Sequence, residues 1–111
     1  MFVVHTSIPI DPERREEAIA HVASMVEDSR AEDGTVRYRA MEDLTEPNVV
    51  RFFEQYEDVA AAERHTNSER YREFVEALPA FSSGALETIQ FETDEFVVHE
   101  FEASEAVESV E

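Results

Sequence analysis

A chain of 111 residues with nine basic residues, all Arg, against 27 acidic ones carries a formal charge of −18, which argues against a nucleic-acid partner, since phosphates must be neutralised by cationic side chains. Without Cys and with only Gly34 and Gly84 as glycines, it has no disulfide, no thiol chemistry, no Cys-ligated metal and no Gly-rich phosphate cradle. The length fits one domain, and the absence of a long apolar run or a signal-peptide pattern predicts a cytoplasmic protein with no membrane partner.

The first predicted strand is Phe2–Ile8. Phe2, Val4, Thr6 and Ile8 share one face, and Val3, His5 and Ser7 the other, because strand side chains alternate. Pro9 stops it. Asp11 and Pro12 are the N-cap and first-turn residues of a helix. Ala18, Ile19, Val22, Met25 and Val26 recur at helical spacing and make its buried stripe. The helix should end near Ser29 or Arg30, with Gly34 supplying the turn.

Thr35–Glu42 is the second strand, with Val36, Tyr38 and Ala40 opposite Arg37, Arg39 and Met41. Leu44–Asn48 is a loop. Val49–Tyr56 is the third strand, with Val50, Phe52, Glu54 and Tyr56 on one face and Val49, Arg51, Phe53 and Gln55 on the other. Both faces carry large apolar groups, so both should be covered. Asp58 caps an Ala-rich helix, Val59–His65. Thr66-Asn67-Ser68 interrupts the helical pattern and caps it again. Tyr71, Phe74, Val75 and Leu78 form the next apolar stripe, Pro79 ends it, and Phe81–Gly84 is a loop. Leu86–Thr93 is the fourth strand. Phe96–Phe101 is either a further short strand or a continuation of the fourth. The acidic end from Glu102 onward is expected to be disordered. Residues 1–95 thus form the domain, and residues 96–111 a C-terminal extension.

The order βαββαβ predicts an α+β, ferredoxin-like plait: a four-stranded antiparallel sheet with its helices on one face. The other face would be apolar and open. Such faces are rare in monomers, so a sheet-to-sheet homodimer is expected.

The segment from Val49 to His65 carries the strongest functional signal. A helix from Asp58 to His65 rises about 10 Å at ~1.5 Å per residue. The strand from Glu57 back to Glu54 covers about 10 Å at ~3.3 Å per residue. A helix folded back over the strand therefore sets His65 level with Glu54. His65 is read as a general base, since histidine titrates near neutral pH, with Glu54 orienting it. The competing reading is a helix-end histidine held by the local dipole, beside a carboxylate satisfied by Arg or backbone N–H groups. Phe52, Tyr56, Tyr71, Phe74 and Phe81 are candidate walls for an aromatic ligand, or plain core. His5 and Ser7 are candidates to line the same cavity, or simply a polar strand face. His21 and His99 are expected at the surface. His5, Glu54 and His65 are chemically able to ligate a metal, but no close-spaced signature supports one and none is expected.

Ser29-Arg30-Ala31-Glu32-Asp33-Gly34-Thr35-Val36-Arg37-Tyr38 resembles the helix-end and second-strand segment of the antibiotic biosynthesis monooxygenase (ABM) domain family. Phe53-Glu54-Gln55-Tyr56-Glu57-Asp58, with His65, Ser68, Phe74 and Leu78-Pro79, resembles its third strand and following helices. The resemblance spans about residues 2 to 93. It implies a dimeric α/β barrel with a ligand cavity between sheet and helices in each subunit. It also places Glu54 and His65 on the family's strand carboxylate and helix histidine, and Tyr56 where many members have Trp. The family's haem-degrading branch uses an Asn, Trp and His set; this chain has no Trp, and no Asn in its first strand. The implied activity is a cofactor-independent monooxygenase acting with O2 on a small aromatic quinol, phenol or anthrone. The alternative is a non-catalytic dimeric module that binds or senses an aromatic metabolite. The Lys-free acidic composition is similar to that of proteins from salt-in halophilic archaea, in which high salt screens the surface charge.

Overall fold

Segments that alternate apolar and polar side chains without Gly bury one face and pair through their backbones. Four do so here. The computed structural model describes residues 1–111 and contains β1 (Phe2–Pro9), β2 (Thr35–Glu42), β3 (Val49–Tyr56) and β4 (Glu87–Glu92). They form one antiparallel sheet in the order β2-β3-β1-β4, the ferredoxin-like plait. The helices are α1 (Arg15–Arg30), α2 (Val59–Thr66), α3 (Glu69–Phe81) and α4 (Ala103–Ser109). None is long and apolar enough to cross a membrane.

Helix starts follow the capping residues. Asp11 accepts from Glu13 N–H at 3.0 Å and opens a short 3-10 turn, Pro12–Arg14, that leads into α1. Asp58 accepts from Ala61 N–H at 2.8 Å and starts α2. Ser68 accepts from Tyr71 N–H at 3.2 Å and starts α3. Each satisfies a first-turn donor that has no partner within its own helix.

The core lies between the sheet and α1 to α3. Val4 and Ile8 of β1, Tyr38 of β2, and Val50, Phe52 and Tyr56 of β3 pack against Ala18, Val22 and Met25 of α1. Ala61, Ala62, Phe74 and Phe81 close it from α2 and α3. Gly34, at φ +86°, lets the turn between α1 and β2 press against α2; a Cβ built there lies 2.5 Å from the Ala61 Cβ.

Several expectations need correction. Pro79 does not end α3, which runs on to Phe81. It sits in the last turn, where the loss of one backbone donor is outweighed by full burial of the Phe81 ring against Phe74 and His21. Phe81 is therefore a helical core residue, and His21 is half-buried beneath its ring instead of lying at the surface. Phe96–Phe101 adds no strand. It leaves the end of β4, and Phe96 comes to rest on Arg37 of β2, 5.9 Å from guanidinium to ring centroid. The acidic end, expected without order, contains α4, none of whose residues is buried. The sheet's second face is only partly covered: Val3 and Gln55 are buried, but Met41, Ile89 and Phe91 stay exposed.

Candidate active site

Strand alternation puts Phe52, Glu54 and Tyr56 of β3 on the inward face. The Asp58 cap then turns the chain so that α2 runs back over them. His65, in the last turn of α2, is 3 % exposed. Its Nε2 lies 3.8 Å from Glu54 Oε1 and 3.5 Å from the Tyr38 hydroxyl. Its Nδ1 lies 2.7 Å from Glu32 Oε1 and 3.5 Å from Ser29 Oγ. The rings of Tyr38, Tyr56 and Tyr71 surround it at 5.2–5.8 Å between centroids.

Glu54 is 8 % exposed and accepts a hydrogen bond from the Tyr56 hydroxyl at 2.5 Å. Burial pushes its pKa above the ordinary carboxylate value; the Tyr56 hydrogen bond and His65 pull the other way without cancelling the rise. Burial likewise raises the Tyr38 and Tyr56 phenols, and the Glu54 carboxylate raises them further. Both phenols therefore remain protonated and act as fixed donors.

These groups line one cavity of about 180 Å³ between the sheet and the helices α2 and α3. Phe52, Tyr71 and Phe74 give it aromatic walls, and Val4, Ile8 and Leu78 give it aliphatic ones. Thr6, Thr88 and Gln90, from β1 and β4, supply neutral polar groups on the sheet side. A larger groove of about 600 Å³ runs between α1 and β2, but it is open, and neither His65 nor Glu54 reaches it.

Of the residues singled out from the sequence, Glu54, His65, Phe52, Tyr56, Tyr71 and Phe74 meet in this cavity. His5, Ser7 and Phe81 do not. His5 lies opposite Phe53 on the outer face of the sheet, and Ser7, on that same face, accepts from Arg51 at 2.5 Å. The two-residue period that turns Val4, Thr6 and Ile8 inward necessarily turns both of them out. His5 is thus separated by the sheet from Glu54 and His65, and the three do not converge on a metal. Phe81 packs behind Phe74, outside the cavity lining. Glu54 also does not orient His65 as expected. It is just beyond hydrogen-bond range and already engaged by Tyr56; Glu32 holds the imidazole instead.

Tyr38, Glu32 and Ser29 also touch the imidazole, and the sequence alone assigns them no role there. Tyr38 shares the inward face of β2 with Ala40, whereas Val36 lies at a register shift and is exposed; a phenol at an apolar position of the strand is the available signal. Ser29 and Glu32 sit at the end of α1 and in the turn after it. Nothing local in the sequence says that this turn meets the end of a helix more than thirty residues later.

The family model described as antibiotic biosynthesis monooxygenase matches residues 1–77. The chain is 32% identical over 95 residues to YcnE of Bacillus subtilis (strain 168), which carries a provisional monooxygenase name; the match covers 86% of this chain and 100% of YcnE. Among solved structures, PA3566 from Pseudomonas aeruginosa superposes with a TM-score of 0.74 at 27% identity, covering 81% of this chain and 90% of that one. Rv0793 from Mycobacterium tuberculosis superposes with a TM-score of 0.81 at 20% identity, covering 87% and 98%, and shows the likeness of fold alone.

Proposed function

The chain belongs to the antibiotic biosynthesis monooxygenase family, and from that premise we propose that it oxidises a small phenol or quinol with O2, without a cofactor. The observation that carries this reading is a buried imidazole whose Nε2 opens into an aromatic-walled cavity beside Tyr38 and Glu54. His65 is the base. It takes the phenolic proton on Nε2, and the phenolate passes one electron to O2. The phenoxyl and superoxide radicals combine at an unsubstituted ring carbon, and the new peroxide takes the proton back from His65. Loss of the ring C–H proton and cleavage of the O–O bond then release water. One oxygen atom stays on the ring as a quinone carbonyl and the other leaves as H2O, so O2 accepts the four electrons that the substrate gives up.

The chain's part is desolvation and charge placement. The protonated phenol of Tyr38 stands beside His65 Nε2 as a donor where charge develops, while the Tyr56 hydroxyl donates to Glu54. Burial raises the pKa of Glu54, and the Tyr56 hydroxyl donates to the carboxyl oxygen that faces His65. The cavity of about 180 Å³ suits one ring or two fused rings better than three, since a dry site of ~150 Å³ admits benzene.

A second reading, binding without turnover, draws on one observation: Glu54 Oε1 is 3.8 Å from His65 Nε2 and is hydrogen-bonded to Tyr56 instead. Oxygen-electrode traces with a panel of mono- and bicyclic quinols in molar KCl separate the two. The oxygenase reading expects substrate-dependent O2 uptake that falls ~10²–10⁴-fold in His65→Ala. Tight binding of the panel with no uptake favours the second.

A further inference from the structure

On the side of the imidazole away from Glu54 lies a carboxylate to which the oxygenase reading assigns no role. Glu32 sits in the turn between α1 and β2, and its Oε1 is 2.7 Å from His65 Nδ1. We propose that Glu32 is the positioning residue of this site: it accepts the Nδ1 proton, fixes the tautomer that leaves Nε2 free toward the cavity, and supplies the charge against which an imidazolium forms. The catalytic consequence rests on His65 being the base; the geometric assignment does not.

Two carboxylates approach this ring, and they are not equivalent. Glu54 is deeply buried, stands 3.8 Å from Nε2, and its near oxygen is occupied by the Tyr56 hydroxyl. Glu32 keeps 27% of its side chain exposed, so water solvates its charge while one oxygen reaches inward. A hydrogen bond of 2.7 Å between a ring nitrogen and a carboxylate oxygen is in the charge-assisted range. The buried Ser29 hydroxyl, 3.5 Å from the same nitrogen, is the weaker second partner. The partners assign the ring: a carboxylate beside Nδ1 requires a proton there, and Nε2 is then the acceptor that faces Tyr38 and the cavity.

The backbone explains how a turn residue is aimed this closely. α1 does not stop cleanly at Arg30. Ala31 N–H donates to Asp28 O and Glu32 N–H to Ser29 O, both at 3.2 Å, which tightens the exit into 3-10 geometry. Thr35 N–H returns to Glu32 O at 3.3 Å, and Gly34 takes the left-handed conformation that closes the turn. Arg64, next to His65 on α2, donates to Asp33 O at 3.5 Å. The turn is thereby fastened to the same helix end whose imidazole it orients.

The test reads the ring nitrogens directly and needs no substrate. Long-range 1H–15N spectra of uniformly labelled protein in molar KCl distinguish a protonated from an unprotonated ring nitrogen, and His65→Ala identifies the His65 signals. The wild type is expected to carry its proton on Nδ1. Glu32→Gln keeps that tautomer, because the amide oxygen still accepts. Glu32→Ala shifts it to Nε2–H or a mixture. A wild-type proton on Nε2, or a Glu32→Ala spectrum identical to wild type, overturns the assignment. Should the Ala variant fail to fold, the wild-type spectrum still decides. With a responding quinol, Glu32→Gln lowers kcat by about tenfold or more with little change in KM, because a carboxylate behind a catalytic histidine acts on the charge formed in the transition state. Equal kcat in wild type and Glu32→Gln refutes the electrostatic part. Wild-type protein with the Nδ1–H tautomer and no O2 uptake supports the positioning and refutes the oxygenase reading.

Discussion

Replacing Gly34 by Ala tests whether the site depends on close approach of α2 to the turn after α1. Gly34 has φ +86°, and an added Cβ lies 2.5 Å from Ala61 Cβ and 3.1 Å from the Arg64 guanidinium. The arginine tip can move; the methyl group of a buried helical alanine cannot. A left-handed conformation costs a residue with a side chain ~1–2 kcal/mol. Reaching ordinary carbon–carbon contact at ~3.5 Å requires α2 to retreat by about 1 Å. Overpacking of that kind costs ~1–3 kcal/mol. The sum is about 2–5 kcal/mol, which for a domain near this size lowers Tm by roughly 8–20 °C at about 4 °C per kcal/mol. His65 rides on α2, so the retreat also draws Nδ1 away from Glu32, now 2.7 Å distant. Thermal unfolding followed by circular dichroism in molar KCl gives the first number, and the His65 tautomer gives the second. Adding Ala61→Gly removes the clash and recovers part of the loss, less ~1 kcal/mol for glycine inside a helix. A Gly34→Ala protein with wild-type Tm and an undisturbed His65 signal would refute the close-approach argument.

Further outcomes follow from the charges and the open face. Burial raises the Glu54 pKa above 4.5, so the native state binds its proton where the unfolded chain has already released it. The stability that this proton lends is full below the unfolded value and is lost as pH rises through the native one. Glu54→Gln should therefore gain on wild type in denaturant midpoints as pH rises above about 4.5, and an advantage independent of pH would contradict this. Asp43 has the opposite sign. Backbone N–H groups of Thr45 and Glu46, and then Arg51, hold its pKa below 3.8; its contribution is present above that value and disappears as acid protonates it, so Asp43→Asn should match wild type only at low pH. With a charge of −18 the chain should lose its native circular dichroism on dialysis into dilute buffer and regain it in KCl, where screening shortens to about 3 Å at 1 M. Ile89 and Phe91 are each 51% exposed on the outer sheet face. Phe91→Glu should convert the proposed homodimer to a monomer in sedimentation at high salt, and a wild-type protein that is already monomeric would remove the dimer from the account.

The parts that were legible in the sequence are those governed by neighbours along the chain. Alternation at Val50, Phe52, Glu54 and Tyr56, and the caps at Asp11, Asp58 and Ser68, located the strands and helix starts. Matched rise along strand and helix placed His65 level with Glu54. Alternation also divided β1 into its two faces. It did not by itself say which face turns inward, although Phe2, Val4 and Ile8 outweigh Val3 beside His5 and Ser7 in apolar area. The local effect of Pro79 predicts a helix end, but the burial of Phe81 two residues later decides where α3 ends. The orienting carboxylate was the least legible feature. Glu32 lies in an ordinary polar turn, and its role comes from the packing of Gly34 on Ala61, a contact that no local pattern encodes.

The central claim is that His65 delivers a phenolate to O2 inside this cavity. Its most direct measurement is single-turnover oxidation of a mono- or bicyclic quinol under 18O2, with mass analysis of both products. The account predicts one 18O atom in the quinone and one in water, no requirement for added metal or flavin, and no labelled product from His65→Ala. Quinols that bind in the cavity yet give no 18O-labelled product, or labelling undiminished in His65→Ala, would contradict it.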